Sequence, residues 1–103
     1  MTFRFHPSAE EEFDRAVGYY EACCTGLGLD FAEEVYAAIA RIIAYPKAWT
    51  RLSKRTRRCL VNRFPFGVIF QVKDSELRVI AVANLNRKPG YWKRRTRAEV
   101  SVK

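Results

Sequence analysis

The spacing of apolar residues changes at Pro46, and this change constrains the fold more than any other feature of the sequence. Before Pro46, apolar side chains recur every three or four residues, which predicts helices. After Pro46 they alternate with polar side chains, which predicts strands. Helices followed by a run of strands are typical of an α+β domain. A chain of 103 residues leaves room for one domain, which we expect to span residues 1–103.

The first part of the chain predicts a short strand and two helices. Apolar and polar residues alternate over residues 2–6, as in a strand. Ser8 and Glu11 have the spacing of a capping box, so the first helix is predicted to begin at Ser8. Gly26-Leu27-Gly28 ends this helix, and a second helix is predicted over residues 30–44. Because the connection is short, we expect an antiparallel helix hairpin.

The second part predicts a three-stranded antiparallel sheet from residues 58–64, 66–72 and 77–85. Residues 73–76 have the composition of a hairpin turn between the last two strands. Strict alternation places one set of side chains on a single face of the last strand: Leu77, Val79, Ala81, Ala83 and Leu85. A further set is expected between the helices and the sheet: Phe13, Phe31, Ile39, Phe66, Phe70 and Val79.

Charge is distributed unevenly along the chain. The net charge is +8, but residues 1–50 carry −4 and residues 51–103 carry +12. A basic half on a folded domain predicts a polyanionic or strongly acidic partner. The sequence shows neither a secretory signal nor an apolar stretch long enough to span a membrane, so we expect no membrane partner and a cytoplasmic location.

Few residues suit metal or acid–base chemistry. His6 is the single histidine, and beside Pro7 at a helix entry it is expected to cap or pack rather than to act as a base. The three cysteines, at positions 23, 24 and 59, have neither the spacing of a zinc site nor that of a disulfide framework. The acidic run 10–12 lies in the first turn of a helix, where the helix dipole favours it, so we interpret it as structural. We expect neither a metal nor a cofactor.

Four local patterns occur in order along the chain and cover nearly all of it. They are Phe5-His6-Pro7-Ser8-Ala9 before an acidic helix, Gly26-Leu27-Gly28 with Phe31, Arg58-Cys59-Leu60 leading to residues 64–70, and Ile80-Ala81-Val82-Ala83 followed by residues 84–92. Together they resemble the RelE/ParE toxins of type II toxin–antitoxin systems, which share the order strand, helix hairpin, three-stranded antiparallel sheet. Arg87, Pro89, Tyr91 and Trp92 match the family's ending in register. Many relatives carry a histidine near the end of the last strand, where this chain has Asn84.

The resemblance implies a toxin that inhibits growth and that a cognate antitoxin binds. Members of the family act in one of two ways: they cut messenger RNA on the ribosome, or they poison DNA gyrase and cut nothing themselves. If this chain cuts messenger RNA, it is a metal-free endoribonuclease. If it poisons gyrase, it is not itself an enzyme. A non-toxic nucleic-acid-binding module on the same fold is the alternative, and an antitoxin gene beside this one would argue against it.

Arginines of the basic second half of the chain, together with Tyr91, form the candidate site. RNA cleavage needs an activated 2′-hydroxyl and a stabilised phosphate, and guanidinium groups bind phosphate in a bidentate manner. We predict the site residues Arg87, Tyr91, Arg63 and Arg95, with Arg87 the foremost; alternatively, Arg87 forms an ion pair with a helix acid. Tyr91 could transfer a proton only if neighbouring cations lower its pKa. Trp92 is expected to pack the tail on the sheet.

Overall fold

A computed structural model describes residues 1–96; the rest of the predicted basic tail, residues 97–103, lies outside the described residues. The elements are β1 (Thr2–Phe5), α1 (Pro7–Cys23), α2 (Leu27–Ala44), β2 (Thr50–Arg51), β3 (Arg57–Leu60), β4 (Phe66–Lys73) and β5 (Glu76–Asn84). All strands join one five-stranded sheet in the order β1-β5-β4-β3-β2. β1 runs parallel to β5, and the other pairs are antiparallel. The α+β class is confirmed.

The three predicted strands pair in antiparallel fashion as β3, β4 and β5, but the sheet contains two further strands that were not predicted to join it. β1 does not stand apart from the sheet: it pairs with β5, from Thr2 opposite Glu76 to Phe5 opposite Val79. This parallel pairing is possible because two helices separate the strands, and parallel strands need a long crossover. β2 was missed because two residues are too few to show an alternation. Alternation identifies the faces of a strand and not its neighbours.

The ends of the helices depend on side chains that the capping-box pattern did not identify. α1 begins at Pro7, before the predicted Ser8, and the Ser8 amide donates to Nδ1 of His6 at 3.0 Å. The expected capping role of His6 is therefore confirmed. The Glu21 carboxylate accepts from the Gly26 amide (3.0 and 3.1 Å to its two oxygens) and from the Gly28 amide at 3.0 Å. These bonds satisfy donors at the start of α2, so α2 begins at Leu27 and not at residue 30.

A β-bulge in β5 corrects the predicted face of this strand. Phe70 lies opposite Val79 and Ile69 opposite Ala81, so Ile80 is an extra residue without a partner on β4. An extra residue shifts the alternation by one position. Leu77 and Val79 therefore face the helices together with Val82, whereas Ala81 and Ala83 lie on the opposite side of the sheet.

Both faces of the sheet are consequently packed. The larger core lies between the helices and the sheet, and of the predicted core residues five are buried there: Phe31, Ile39, Phe66, Phe70 and Val79. Phe13 is half-buried at the margin of this core. On the other side Tyr91 and Trp92 cover a smaller cluster made of Ile69, Ile80, Ala81 and Ala83. Neither helix of the described residues is long and apolar enough to cross a membrane.

Candidate functional site around Glu12

After β5 the chain turns back onto the sheet. The Asn86 amide donates to Oδ1 of Asn84 at 2.8 Å, and the Arg87 amide donates to the Asn84 carbonyl at 3.0 Å. Gly90, with φ +85°, provides a second reversal in the left-handed region, where glycine is favoured. These two turns bring Tyr91 and Trp92 onto the small cluster, and the expected packing of Trp92 is confirmed.

The Glu12 carboxylate is the centre of the resulting site, and its side chain is only 14% exposed. Its two oxygens accept hydrogen bonds from the Tyr91 hydroxyl at 2.8 Å, from Nη1 and Nη2 of Arg95 at 2.9 Å each, and from the Val82 amide at 3.0 Å. A carboxylate that is nearly buried is stable only when its lone pairs are satisfied in this way. Glu12 thus joins α1, β5 and the C-terminal segment.

The open edge of β5 explains why a carboxylate is needed at this place. β1 ends opposite Val79, so the outer edge of β5 lacks a neighbouring strand from Ile80 onward. The Ile80 carbonyl accepts from Nη1 of Arg95 at 3.0 Å, and the Val82 amide donates to Glu12. The Glu12–Arg95 pair therefore takes the hydrogen-bonding role of a strand along this part of the edge.

Arg87 makes two contacts at this site, and its side chain remains 55% exposed. Its Nη1 lies 3.7 Å from Oε2 of Glu12, and its Cζ lies 3.9 Å from the centroid of the Tyr91 ring. The ion pair with a helix acid, considered as an alternative for Arg87, is thus present. More than half of the Arg87 side chain stays exposed, so the ion pair leaves it available to a ligand.

Tyr91 does not have the lowered pKa that proton transfer was expected to require. Burial raises the pKa of the Tyr91 hydroxyl far above its ordinary value, and the hydrogen bond and charge of Glu12 raise it further. Arg95 and Arg87 lower it by less. Tyr91 therefore stays protonated near neutral pH and donates to Glu12. The hydrogen bonds that Arg95 itself donates to Glu12 are the main cause of a raised pKa for Arg95.

A groove of about 360 Å³ opens beside this cluster, between α1 and the end of β5. Its lining combines aromatic and apolar side chains with one carboxylate, one amide and two arginines. The lining residues are Glu12, Arg15, Ala16, Tyr19, Tyr20, Phe66, Val82, Asn84, Arg87 and Tyr91. These described lining residues include neither histidine nor cysteine. The groove thus offers aromatic surface and fixed positive charge for binding.

The structure brings three of the four predicted site residues together and separates the fourth. Arg87, Tyr91 and Arg95 meet at Glu12, whereas Arg63 lies in the β3–β4 connection. Arg63 Nη2 lies 3.5 Å from Oδ2 of Asp30, and its Cζ lies 5.4 Å from the centroid of the Phe64 ring.

Sequence reasoning missed Glu12 as a site residue, because the acidic run 10–12 fitted a helix dipole. A signal was present: Glu12 follows Ala9 by three residues and precedes Ala16 by four, and both alanines are buried. Helical spacing places Glu12 on the same packed face. Among residues 1–96, no three His, Cys, Asp or Glu side chains are grouped so that they could hold a metal ion.

Comparison with known proteins identifies the family. Residues 3–89 match the family model described as "ParE toxin of type II toxin-antitoxin system, parDE". No curated protein sequence matches the chain. Among solved structures, a chain of the "Chromosomal ParDE TA system from P. aeruginosa" shares the fold, with a TM-score of 0.72 and 17% identity over 84% of this chain and 97% of that chain. The resemblance drawn from the sequence is thereby confirmed, and the chain belongs to the ParE toxin family of type II toxin–antitoxin systems.

Proposed function

We propose that this chain is a growth-inhibiting toxin that binds DNA gyrase through the groove beside Glu12 and does not itself cleave RNA. The observation that carries the proposal is the state of Tyr91. Its hydroxyl is a hydrogen-bond donor to Glu12, and its raised pKa removes it as a base near neutral pH. Asn84 stands where many relatives carry a histidine, so the groove offers no imidazole in its place.

The remaining chemistry of the groove suits binding. Arg87 and Arg15 supply fixed positive charge, and Tyr19, which is 65% exposed, supplies aromatic surface. Arginine and tyrosine dominate the energetics of many protein interfaces, because they combine a large contact area with directed hydrogen bonds. The match to the ParE family model also supports a target other than messenger RNA, since the resemblance implies that ParE-like members poison gyrase.

RNA cleavage is the second candidate, and the lining of the groove favours it in one respect. Tyrosine rings beside arginines could stack on an unpaired base and hold its phosphate. Charge stabilisation by Arg87 without a proton-transfer group would give slow cleavage at best. The two candidates therefore differ in what accumulates after induction, broken DNA or cut messenger RNA.

The test is induction of the chain in cells, followed by assays of both targets. We expect a DNA-damage response and, with purified components, loss of gyrase supercoiling. Arg87→Ala should weaken both effects, whereas Arg4→Ala, which removes an exposed arginine at the β1 edge, should change neither. Messenger RNA cut in ribosomes while supercoiling is unaffected would overturn the proposal. Normal growth of induced cells with no effect on either target would favour the non-toxic module.

A further inference from the structure

The segment between the helices and β5 carries a concentration of charge that the groove does not use. Residues 45–73 contain eight Lys or Arg and no Asp or Glu. A solvated surface commonly mixes both signs, so an unmixed stretch of this length predicts a partner with many negative charges. The stretch includes β2, β3 and β4, three neighbouring strands that end in the β2 edge of the sheet.

Four of these cations converge on one concavity, which we call the hairpin cleft. It has a volume of about 230 Å³ and is lined by Lys47, Lys54, Arg55, Arg57, Phe70 and Val72. Within residues 1–96, none of the four cations forms an ion pair with a carboxylate. Like charges that face one cleft repel each other, and an anion that enters the cleft relieves this repulsion.

The backbone holds these cations in an ordered arrangement. The amides of Leu52 and Ser53 both donate to the Thr56 carbonyl, at 2.8 and 3.2 Å. Thr56 is buried, and its Oγ1 accepts from Nε2 of Gln71 at 3.1 Å. Nη1 of Arg57 donates to the Trp49 carbonyl at 2.9 Å. The turn that carries Lys54 and Arg55 is thus fixed to the sheet before any ligand arrives, which lowers the entropy lost on binding.

The composition of the cleft distinguishes between classes of anion. An acidic protein segment needs apolar anchors as well as charge, but Phe70 is only 1% exposed, and Val72 is the one other apolar lining residue. A base would need an accessible ring for stacking, and the cleft has none. What remains is a cluster of cations, extended by Arg51, which lies opposite Arg57 in the β2–β3 pair and so shares its face of the sheet. Such a cluster matches the phosphates of a nucleic-acid backbone.

We propose that the hairpin cleft binds the phosphodiester backbone of nucleic acid, independently of base sequence. Lys54 and Arg55, both exposed at the turn, contact phosphates, while Arg57 is held at the wall of the cleft by Trp49. The binding surface lies apart from the groove at Glu12, with which it shares no lining residue. This interaction does not depend on which target the groove recognises.

The test measures binding of the purified full chain to two short DNA duplexes of unrelated sequence, by fluorescence anisotropy, between about 50 and about 200 mM salt. We expect equal affinities for the two duplexes. The double variant Lys54→Ala, Arg55→Ala should bind more weakly, and its slope of log affinity against log salt should be shallower by about 2. Arg4→Ala with Lys93→Ala removes the same charge outside the cleft and should leave the slope unchanged.

Three results would overturn the proposal. They are failure of the parent chain to bind either duplex, equal loss of slope in both double variants, and displacement of the duplex more readily by poly-glutamate than by an unlabelled duplex of matched charge, which would assign the cleft to an acidic protein. Melting temperatures equal to that of the parent verify that the variants are folded. Gyrase is absent from this measurement. The proposal that the cleft binds nucleic acid and the proposal that the groove binds gyrase can therefore fail independently.

Discussion

Arg87 meets Glu12 and Tyr91 with different parts of one guanidinium, and these contacts predict how its variants behave. Arg87→Ala removes a directed cation, and loss of one charge-assisted contact to a target costs about 1.5–3 kcal/mol, or on the order of ten- to a hundredfold in affinity. Arg87→Lys should restore part of this, because an ammonium lacks the planar fork. Stability should change by about 0–1 kcal/mol, since the ion pair is half exposed.

Growth after induction of parent, Arg87→Ala and Arg87→Lys, at matched expression and melting temperature, measures this effect. Arg4→Ala is the control: Arg4 is 64% exposed and pairs with Glu76, away from the groove. Equal toxicity of all variants would remove Arg87 from the binding surface and would direct attention to Arg63, Tyr91 and Arg95.

Glu12 is expected to stabilise the fold strongly, because it is nearly buried and bonds to β5 and to the C-terminal segment. Glu12→Gln keeps the shape but leaves Arg95, only 15% exposed, without its counter-charge. Breaking a buried pair in this way costs about 3 kcal/mol, toward the lower end of the usual range because some solvent reaches both groups. Denaturant unfolding measures the change. Glu10→Gln, an exposed change two residues earlier, should stay within about 0.5 kcal/mol of the parent.

At the scale of single elements, two glycines in the helices predict opposite effects of the same substitution. A Cβ on Gly28 would lie 2.7 Å from the Val17 carbonyl oxygen, whereas a Cβ on Gly18 would meet nothing within 4 Å. Gly28→Ala should therefore force α1 and α2 apart and destabilise by about 1–3 kcal/mol. Gly18→Ala should stabilise by about 0.4–1 kcal/mol, because alanine favours the helix. Thermal melting of the two variants, side by side, tests whether the helix contact is as close as the structure shows.

The helices and strands show which parts of the fold the sequence could predict and which it could not. The apolar spacing predicted both helices and the strands β1, β3, β4 and β5, because each turns apolar side chains toward the same core. It did not predict the extra residue Ile80 in β5, since a bulge depends on pairing with β4 and leaves no mark in composition. Glu12 was missed for a related reason: its partner Val82 is 70 positions away, and only the fold brings the two together.

For the molecule as a whole, the two layers of the fold carry opposite charge. The helices α1 and α2 contain eight acidic and two basic residues, and the other residues among 1–96 include fifteen basic and two acidic residues. The sheet, its loops and the C-terminal segment therefore present a positive field, and the helices a negative one. Membership of the ParE family implies an antitoxin partner, and this distribution predicts that the acidic part of the partner approaches from the sheet and the groove.

The rate of that association should depend on salt. An acidic, amphipathic antitoxin segment should be drawn in by long-range attraction and then held by apolar contacts, including the exposed ring of Tyr19 in the groove. The screening length falls from about 10 Å at about 0.1 M salt to about 3 Å at about 1 M. The association rate should therefore fall at least tenfold over this range, while the dissociation rate changes little. Surface plasmon resonance with the coexpressed, copurified antitoxin gives both rates. Tyr19→Ala should reverse the pattern, speeding dissociation with little effect on association, because it removes contact area and no charge. An association rate that is independent of salt would show that the positive layer does not steer the partner.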